Sequence, residues 1–290
     1  MASMPELPEV ETVRRGLEPI FQSARLARVE ARRPDLRFPL PEGFVQRLTG
    51  ARIETLRRRA KYLLARLDRG ETLVMHLGMT GRFEIEGRAA PRRGGRSDFA
   101  VQVDPRHAHI LFETDAGHRV TYSDPRRFGY MDLIASDRLD SHPWFVGLGP
   151  EPLGGEFNAD RLAKSLTGRR QSIKVTLLDQ RIVAGLGNIY VSEALYRAHI
   201  SPLRAAGEIS FPELETIAHS VRAVLSEAIE AGGSSLRDYA AADGALGRFQ
   251  HQFQVYDRGG QPCGRESCRG VIQRTVQAGR ASFHCQSCQR

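Results

Sequence analysis

The sequence predicts a multidomain α+β fold, in which a β-sandwich or barrel is followed by helices and then by a small cysteine-bearing unit. Three observations carry this prediction. Short β-rich runs fill residues 1–135, apolar residues recur at helical spacing after residue 156, and the four cysteines all lie beyond residue 262. With 290 residues, 41% of them hydrophobic, the chain is long enough to build more than one core.

The N-terminal region, residues 1–135, begins with a helix and continues as strands. Val10, Val13 and Leu17 recur at i, i+3 and i+7, which predicts a helix over residues 9–18. Many short strands separated by turn sequences then favour a sandwich or a barrel. The predicted strands are residues 25–33, 51–57, 62–67, 72–77, 82–86, 98–104, 108–113, 118–123 and 130–134, with a basic loop at 87–97.

A hinge over residues 136–156, rich in proline and glycine in its second half, separates this region from a helical one at residues 157–245. Ser210 and Glu213 form a capping box with proline in the first turn, and the helix that they open is expected to stop at Gly232. Two earlier helices, joined by a tight glycine turn, are predicted over residues 171–180 and 188–199.

The last unit, residues 254–290, carries every cysteine in the pattern Cys263-x4-Cys268-x16-Cys285-x2-Cys288. Four thiolates suit one tetrahedral Zn²⁺ ion and leave no open coordination position, which predicts a structural zinc. Two disulfides or four free thiols are the alternatives. The start of the chain lacks a secretion signal, and the reducing compartment that this predicts disfavours disulfides. The loop between the pairs is predicted to form a hairpin of Val271–Val276 and Ala281–His284.

The charge distribution favours a polyanionic partner. The chain has 42 basic and 34 acidic residues, a net charge of +8. Residues 245–290 hold seven arginines against only Asp257 and Glu266, which favours nucleic acid or an anionic surface over a merely solvated face.

No apolar run reaches the roughly 20 residues that span a bilayer. We therefore expect a soluble, cytoplasmic protein without a membrane partner.

Lysine is rare in this chain. It occurs only at positions 61, 164 and 174, so the other 39 of the 42 basic residues are arginine. A lysine retained against this background marks a candidate place where a compact, deprotonatable ammonium is needed, although chance retention explains any single one equally well.

Six motifs in register resemble those of the bacterial formamidopyrimidine-DNA glycosylases, and the resemblance covers nearly the whole chain. They are Met4–Gly16 (MPELPEVETVRRG), Arg58–Leu64 (RRAKYLL), His76–Gly81 (HLGMTG), Asp124–Gly129 (DPRRFG), Gly185–Glu193 (GLGNIYVSE) and the terminal cysteine unit. The resemblance implies an N-terminal catalytic β-sandwich, a helix–two-turns–helix DNA-binding domain and a C-terminal zinc-finger hairpin.

The activity that the resemblance implies is bifunctional DNA repair. The family excises oxidised purines, such as 8-oxoguanine and formamidopyrimidines, from damaged double-stranded DNA and then nicks the abasic strand by β,δ-elimination. One structural Zn²⁺ is the implied cofactor, and we expect a monomer because the sequence has no heptad repeat.

Pro5 and Glu6 match the family's nucleophile and general acid. A terminal proline is a secondary amine that can attack the sugar C1′ and form an iminium ion, whereas the nitrogen of an internal proline is an inert amide. Glu6 is expected to act as general acid if burial raises its pKa. Because this chain reads Met-Ala-Ser-Met-Pro, we expect the active form to begin at Pro5, after translation from Met4 and removal of methionine.

Two further positions match the family's elimination residues. Lys61 matches the lysine credited with the β-elimination step, and a solvated phosphate-facing patch is its plainer interpretation. Arg280 matches the hairpin arginine assigned to the δ-elimination, where it would clamp the leaving phosphates with two hydrogen bonds.

Other matched positions are implied to contact DNA. Met79, Arg126 and Phe128 match the wedge that fills the gap left by a flipped base, although a methionine and a phenylalanine are more often core residues. Glu9 matches a residue near the damaged base. The remaining implied DNA contacts are Arg127, Arg170, Lys174, Asn188 at a helix N-terminus, and Arg96, which stands where relatives often carry a histidine.

Two other functions remain open on the sequence. An endonuclease VIII-like enzyme removes oxidised pyrimidines with the same proline and glutamate. Against it stand the PELPE start and residues 243–249, which resemble the loop that covers a flipped 8-oxoguanine. A non-catalytic DNA-binding zinc protein that kept the scaffold is the third interpretation.

Overall fold

The computed structural model describes residues 4–86, 104–234 and 247–290. Three sequence-based predictions lie wholly or mostly outside these ranges: the loop 87–97 with Arg96, the strand 98–104, and residues 243–246 of the implied lesion-covering loop. The chain divides into two compact units, Met1–Val146 with Ala231–Arg248, and Gly147–Glu230 with Phe249–Arg290.

Two four-stranded antiparallel sheets make the first unit a β-sandwich rather than a barrel. The helices are α1 (Leu7–Phe21) and α2 (Phe44–Leu48). The strands are β1 (Leu26–Ala31), β2 (Ile53–Arg59), β3 (Tyr62–Leu67), β4 (Glu71–His76), β5 (Arg82–Glu86), β6 (Ala108–Thr114), β7 (Arg119–Ser123) and β8 (Tyr130–Ala135). One sheet has the order β1-β6-β7-β5 and the other the order β2-β3-β4-β8.

The core of the first unit forms because each strand alternates and α1 is amphipathic. Leu63, Ala65 and Leu67 of β3 face inward and are buried, as the period of two requires. On α1, Val10, Val13 and Leu17 form the buried stripe. All of these belong to one apolar cluster with residues of both sheets. The sandwich therefore gives α1, which carries the first sequence motif, a rigid support.

The second unit is helical and ends in a hairpin. Its helices are α3 (Ala159–Leu166), α4 (Ile173–Leu177), α5 (Asn188–Arg197) and α6 (Phe211–Glu230), and its strands are β9 (Ile272–Gln277) and β10 (Arg280–Cys285). The Glu213 half of the predicted capping box is present at the start of α6, because the N–H and hydroxyl of Ser210 donate to Glu213 Oε2 at 2.8 and 2.9 Å. Within the described parts of the chain, no helix is long and apolar enough to cross a membrane.

Candidate functional site

The start of α1 is built around two buried glutamates. Glu6 is the N-cap residue, and Glu9 completes the capping box by accepting the Glu6 backbone N–H at 2.9 Å. Glutamate is not among the preferred N-cap residues, and both side chains are almost completely buried, at 3% and 2% exposure. The carboxylate of Glu6 is therefore buried at the start of α1, next to Pro5.

Glu9 also fixes a second segment of the first unit. Its Oε1 accepts the N–H and the hydroxyl of Ser234 at 2.8 and 2.9 Å. A side chain at Gly233, where φ is +78°, would place its Cβ 3.1 Å from the same oxygen. Glu9 therefore ties the beginning of α1 to the segment that precedes residues 235–246, and it needs a glycine beside it to do so.

Lys61 lies in the two-residue turn between β2 and β3 and is 7% exposed. Ala60 takes a left-handed φ of +51°, and Arg58 donates to its carbonyl oxygen at 2.9 Å. Arg58 also pairs with Glu11 of α1 at 3.2 Å. Burial alone would raise the pKa of Glu11, but Arg14 and Arg58 hold it below its usual value. This ion pair fixes the lysine turn to the helix that carries Glu6.

His76 is a candidate site residue that the sequence analysis did not select, although the motif HLGMTG contains it. Burial, together with the positive charges of Lys61 and Arg37, lowers the pKa of His76 to about 3. The N–H of Gly78 donates to its Nδ1 at 3.0 Å, so the neutral ring carries its proton on Nε2. A neutral imidazole beside Lys61 can donate a hydrogen bond without adding charge.

The two loops that carry Met79 and Arg126 are held together by Asp124, which is fully buried. Its Oδ2 accepts the N–H of Gly129 at 2.7 Å, and its Oδ1 accepts the hydroxyl of Thr80. Thr80 in turn accepts the N–H of Arg126 at 3.1 Å. A Cβ on Gly78 would lie only 2.3 Å from the Gly129 nitrogen, so the close approach of the loops requires glycine.

The three implied wedge residues do not form part of the core. Phe128 is 40% exposed, Met79 is half-buried and Arg126 is exposed. The Arg126 guanidinium lies 4.7 Å from the centroid of the Phe128 ring, in cation–π contact. Arg127 beside them is exposed and takes a φ of +53°. Because Phe128 is exposed and in contact with an arginine, it is better suited to contact a partner than to pack in a core.

In the second unit, Gln180 fixes the two turns that separate α4 from α5. Its amide N–H groups donate to the carbonyls of Leu178 and Leu186 at 3.1 and 2.9 Å, and its oxygen accepts the N–H of Gly185 at 2.8 Å. Asn188 follows as the first residue of α5, as the Gly-x-Gly turn predicts. Within the described residues, its buried Oδ1 has no hydrogen-bond partner.

Lys174 is buried, at 1% exposure. Its Nζ donates to the carbonyl of Ala281 and to the hydroxyl of Ser282, both at 2.7 Å. Asn188 Nδ2 donates to the same Ala281 carbonyl at 3.1 Å. Both side chains therefore hold the hairpin next to Arg280, a role that the sequence analysis did not foresee.

Arg280 lies at the tip of the β9–β10 hairpin and is exposed. The turn before it, Ala278-Gly279, has φ values of +46° and +74°, the pattern of a tight two-residue hairpin turn. Arg170 is also exposed, three residues before Ile173, the first residue of α4. Both guanidinium groups are thus placed where a partner can reach them.

The four cysteines form a metal site. Their sulfur atoms all lie within 4.8 Å of one another, with Cys263–Cys288 at 3.8 Å and Cys268–Cys285 at 3.6 Å. A tetrahedron with Zn–S bonds of about 2.3 Å has sulfur–sulfur edges of about 3.8 Å. These separations exclude disulfides, whose sulfurs are about 2.05 Å apart, and fit one zinc ion held by four thiolates. The residues present match a structural zinc.

Glu193 anchors the cysteine unit to α5 and is a second residue that the sequence analysis did not select. It is 3% exposed, and its carboxylate accepts the backbone N–H groups of Gln254, Val255 and Tyr256 at 2.8–3.0 Å. Burial raises the pKa of Glu193, while these three donors act in the opposite direction. The side chain thereby fixes the segment through which the chain enters the zinc unit.

Comparison with known proteins covers both units. The formamidopyrimidine-DNA glycosylase N-terminal domain matches residues 4–131, and the H2TH domain of the same family matches residues 148–240. A formamidopyrimidine-DNA glycosylase of Phenylobacterium zucineum is 65% identical over 99% of this chain and 100% of its own length.

Two solved structures have the same architecture. The MutM (Fpg) protein of Thermus thermophilus is 37% identical, with a TM-score of 0.83 over 98% of each chain. A Lactococcus lactis Fpg mutant in complex with Fapy-dG-containing DNA is 34% identical, with a TM-score of 0.84 over 99% of this chain and 100% of that one. Fold and sites together define a zinc-bearing protein of the helix–two-turns–helix class. The chain belongs to the formamidopyrimidine-DNA glycosylase family.

Proposed function

We propose that this protein removes oxidised purines, including 8-oxoguanine and formamidopyrimidines, from double-stranded DNA and then cleaves the abasic strand. The observation that carries the proposal is the buried Pro5-Glu6 pair at the start of α1, in a chain that matches its family over its full length. DNA is the partner, and the enzyme acts on the chromosome in the cytoplasm.

Excision follows from the chemistry of the first two residues of the active form. The secondary amine of a terminal Pro5 attacks C1′ of the damaged nucleotide, and the bond from C1′ to the base breaks. Glu6 donates a proton as the bond breaks. The Pro5 nitrogen then loses its proton, and the C1′–O4′ bond of the sugar ring breaks as O4′ takes up a proton. The nitrogen lone pair forms the C=N⁺ bond, which gives an iminium ion between Pro5 and the opened sugar. Acylation of the Pro5 nitrogen by preceding residues would block this step, so the active form begins at Pro5.

Strand cleavage uses the electron-withdrawing power of that iminium ion. It acidifies the C2′ proton, and loss of this proton expels the 3′ phosphate. Lys61, held in its turn beside the neutral ring of His76, is the residue we assign to this β-elimination. Arg280 at the hairpin tip supplies a bidentate clamp for the phosphate that leaves in the δ-elimination. The zinc ion supplies structure and takes part in no bond-breaking step.

The damaged nucleotide has to leave the base stack before it can react. Met79, Arg126 and Phe128 are accessible on two loops fixed by Asp124, so they can occupy the space that the nucleotide leaves. An arginine in this position can also pair with the orphaned base. Glu9 lies beside the catalytic glutamate and holds Ser234, which places it to order the segment that precedes the implied lesion-covering loop.

Covalent trapping with borohydride tests the proposed function, because borohydride reduces an iminium ion to a stable amine. We expect the protein with a verified Pro5 terminus to become cross-linked to an 8-oxoguanine duplex and to an abasic duplex. An undamaged duplex is the control. Preferential trapping on a thymine-glycol duplex would favour the endonuclease VIII-like activity, and no trapping on any duplex would favour the non-catalytic interpretation.

Replacement of Arg126 by alanine is expected to weaken discrimination of the base opposite the lesion more than it weakens binding to an abasic duplex. A good hydrogen-bonded pair between a side chain and a base is worth about 1–3 kcal/mol, which is a preference of about fivefold to 150-fold. Excision rates against each of the four opposite bases measure this effect. Arg28→Ala, which removes another exposed arginine of the same unit, is the control. Equal losses against all four bases would mean that Arg126 contacts only phosphate.

A further inference from the structure

The C-terminal end of α5 reaches the zinc site through Tyr196. The Tyr196 side chain is buried, at 3% exposure, and its phenol oxygen lies 3.3 Å from Sγ of Cys263. A cysteine that binds zinc is a thiolate and carries no proton. The phenol O–H is therefore the donor of this hydrogen bond and the sulfur its acceptor.

The Tyr196 ring is held by the loop whose cysteine it contacts. The guanidinium carbon of Arg265, which lies between Cys263 and Cys268 in the chain, is 4.4 Å from the ring centroid. The same guanidinium donates to the carbonyl oxygen of Tyr196. Ring and hydroxyl are thus fixed by different contacts, so a substitution can remove the hydroxyl and keep the packing.

The residues that follow Tyr196 hold Gln289 and Arg290, which come directly after the other cysteine pair, Cys285 and Cys288. The N–H of Arg290 donates to the carbonyl of His199 at 3.0 Å. Gln289 donates to the carbonyl of Ile200 and accepts the N–H of Cys285, both at 2.9 Å. The end of α5 therefore supports both halves of the site, and Tyr196 is the residue through which it reaches a metal-binding sulfur.

We propose that Tyr196 supports the zinc centre as a hydrogen-bond donor. Its hydrogen bond to Cys263 helps to retain the metal ion and protects the Cys263 thiolate from oxidation. A hydrogen bond withdraws electron density from sulfur, which makes the thiolate a weaker nucleophile toward protons and oxidants. Hydrogen-bond partners of metal ligands typically change metal affinity by about 10–100-fold. The proposal depends on the zinc site alone and not on the excision chemistry.

The oxidation that Tyr196 opposes is the attack of thiolate sulfur on a peroxide. A sulfur electron pair forms the S–O bond, the O–O bond breaks and hydroxide leaves, which converts the thiolate to a neutral sulfenic acid. A sulfenic acid is a poor zinc ligand, so the ion is lost. Oxidised purines form where such oxidants are present, so an enzyme that removes them has to keep its zinc under the same conditions.

The test compares Tyr196→Phe with the wild-type holoprotein, each loaded with one zinc ion. Phenylalanine keeps the ring under Arg265 and removes only the hydroxyl. With a colorimetric zinc chelator, we expect zinc affinity to fall by about tenfold and release in hydrogen peroxide to be several times faster. Mass spectrometry should find Cys263 oxidised earlier in the variant than in the wild type.

Two controls separate the hydrogen bond from packing. Tyr130→Phe removes a phenol from the first unit and should release zinc at the wild-type rate. Tyr196→Leu removes the ring as well. In the Co²⁺-substituted protein, loss of the hydrogen bond should move the sulfur-to-metal charge-transfer band to lower energy in Tyr196→Phe. Wild-type zinc release and an unmoved band in Tyr196→Phe, with fast release only in Tyr196→Leu, would overturn the proposal.

Discussion

Replacement of Glu6 by glutamine is expected to abolish base excision while leaving the amine of Pro5 able to react with an abasic site. Glutamine keeps the shape of the buried side chain but has no acidic proton for the departing base. General acid catalysis contributes about a hundredfold to ten-thousandfold, and the single-turnover rate of 8-oxoguanine release should fall by that factor. Borohydride trapping on a duplex that already contains an abasic site should persist, because no base has to leave.

Glu18→Gln is the matched control for this variant. Glu18 lies on the same helix, is 41% exposed and pairs with Arg14 at 2.7 Å, so its loss removes a surface ion pair worth at most about 1 kcal/mol. Its excision rate should equal that of the wild type. Excision by Glu6→Gln at the wild-type rate would show that another group protonates the base. Loss of both excision and trapping would place Glu6 in amine activation instead.

The elements that the sequence predicted well are those whose pattern is local. β3 occupies residues 62–67 in both prediction and structure, because the alternating pattern that predicts a strand lies within these six residues themselves. The capping box at Ser210 opens α6 as expected, since both of its partners lie within one turn. No comparable local signal marks α2, which has five residues and begins after a glycine rather than a capping side chain.

The positions of individual side chains were less predictable where their partners lie far along the chain. Lys174 stays a predicted DNA contact, and its bonds to residues 281 and 282, more than 100 positions away, could not be read from its local sequence. Glu193 was inside a motif already recognised, but its three backbone donors begin 61 residues later. Residue type and spacing identify such a buried charge as important, whereas only the fold reveals which group it holds.

The zinc cysteines were the exception, because their chemistry leaves few alternatives. Four sulfurs in two close pairs have to meet at one ion, form disulfides or stay free, and the spacing together with the expected reducing compartment favoured the ion. The structure brings all four within 4.8 Å although sixteen residues separate the two pairs. A ligand set is thus predictable at long range when a single bound ion determines its geometry.

Replacement of Cys285 by alanine is expected to release the zinc and to abolish DNA binding while the first unit stays folded. Cys285 is fully buried, and the core beside the cysteines is small. It consists of Tyr196, Val255, Cys263, Ile272, Phe283 and Cys285. So few apolar residues cannot hold the hairpin without metal, because the free energy of zinc binding is also free energy of folding. The sandwich has its own large core and does not depend on the ion.

Three measurements test this prediction. They are the zinc content, the affinity for an abasic duplex, and the near-ultraviolet signal of Trp144, which lies in the first unit. Zinc should fall from one ion per chain to almost none, and affinity should fall by at least about a hundredfold, because the hairpin that carries Arg280 loses its fixed geometry. Gln286→Ala, which changes the exposed neighbour of Cys285, should keep both. A zinc-free Cys285→Ala protein that bound the duplex with wild-type affinity would show that the hairpin does not dock on DNA.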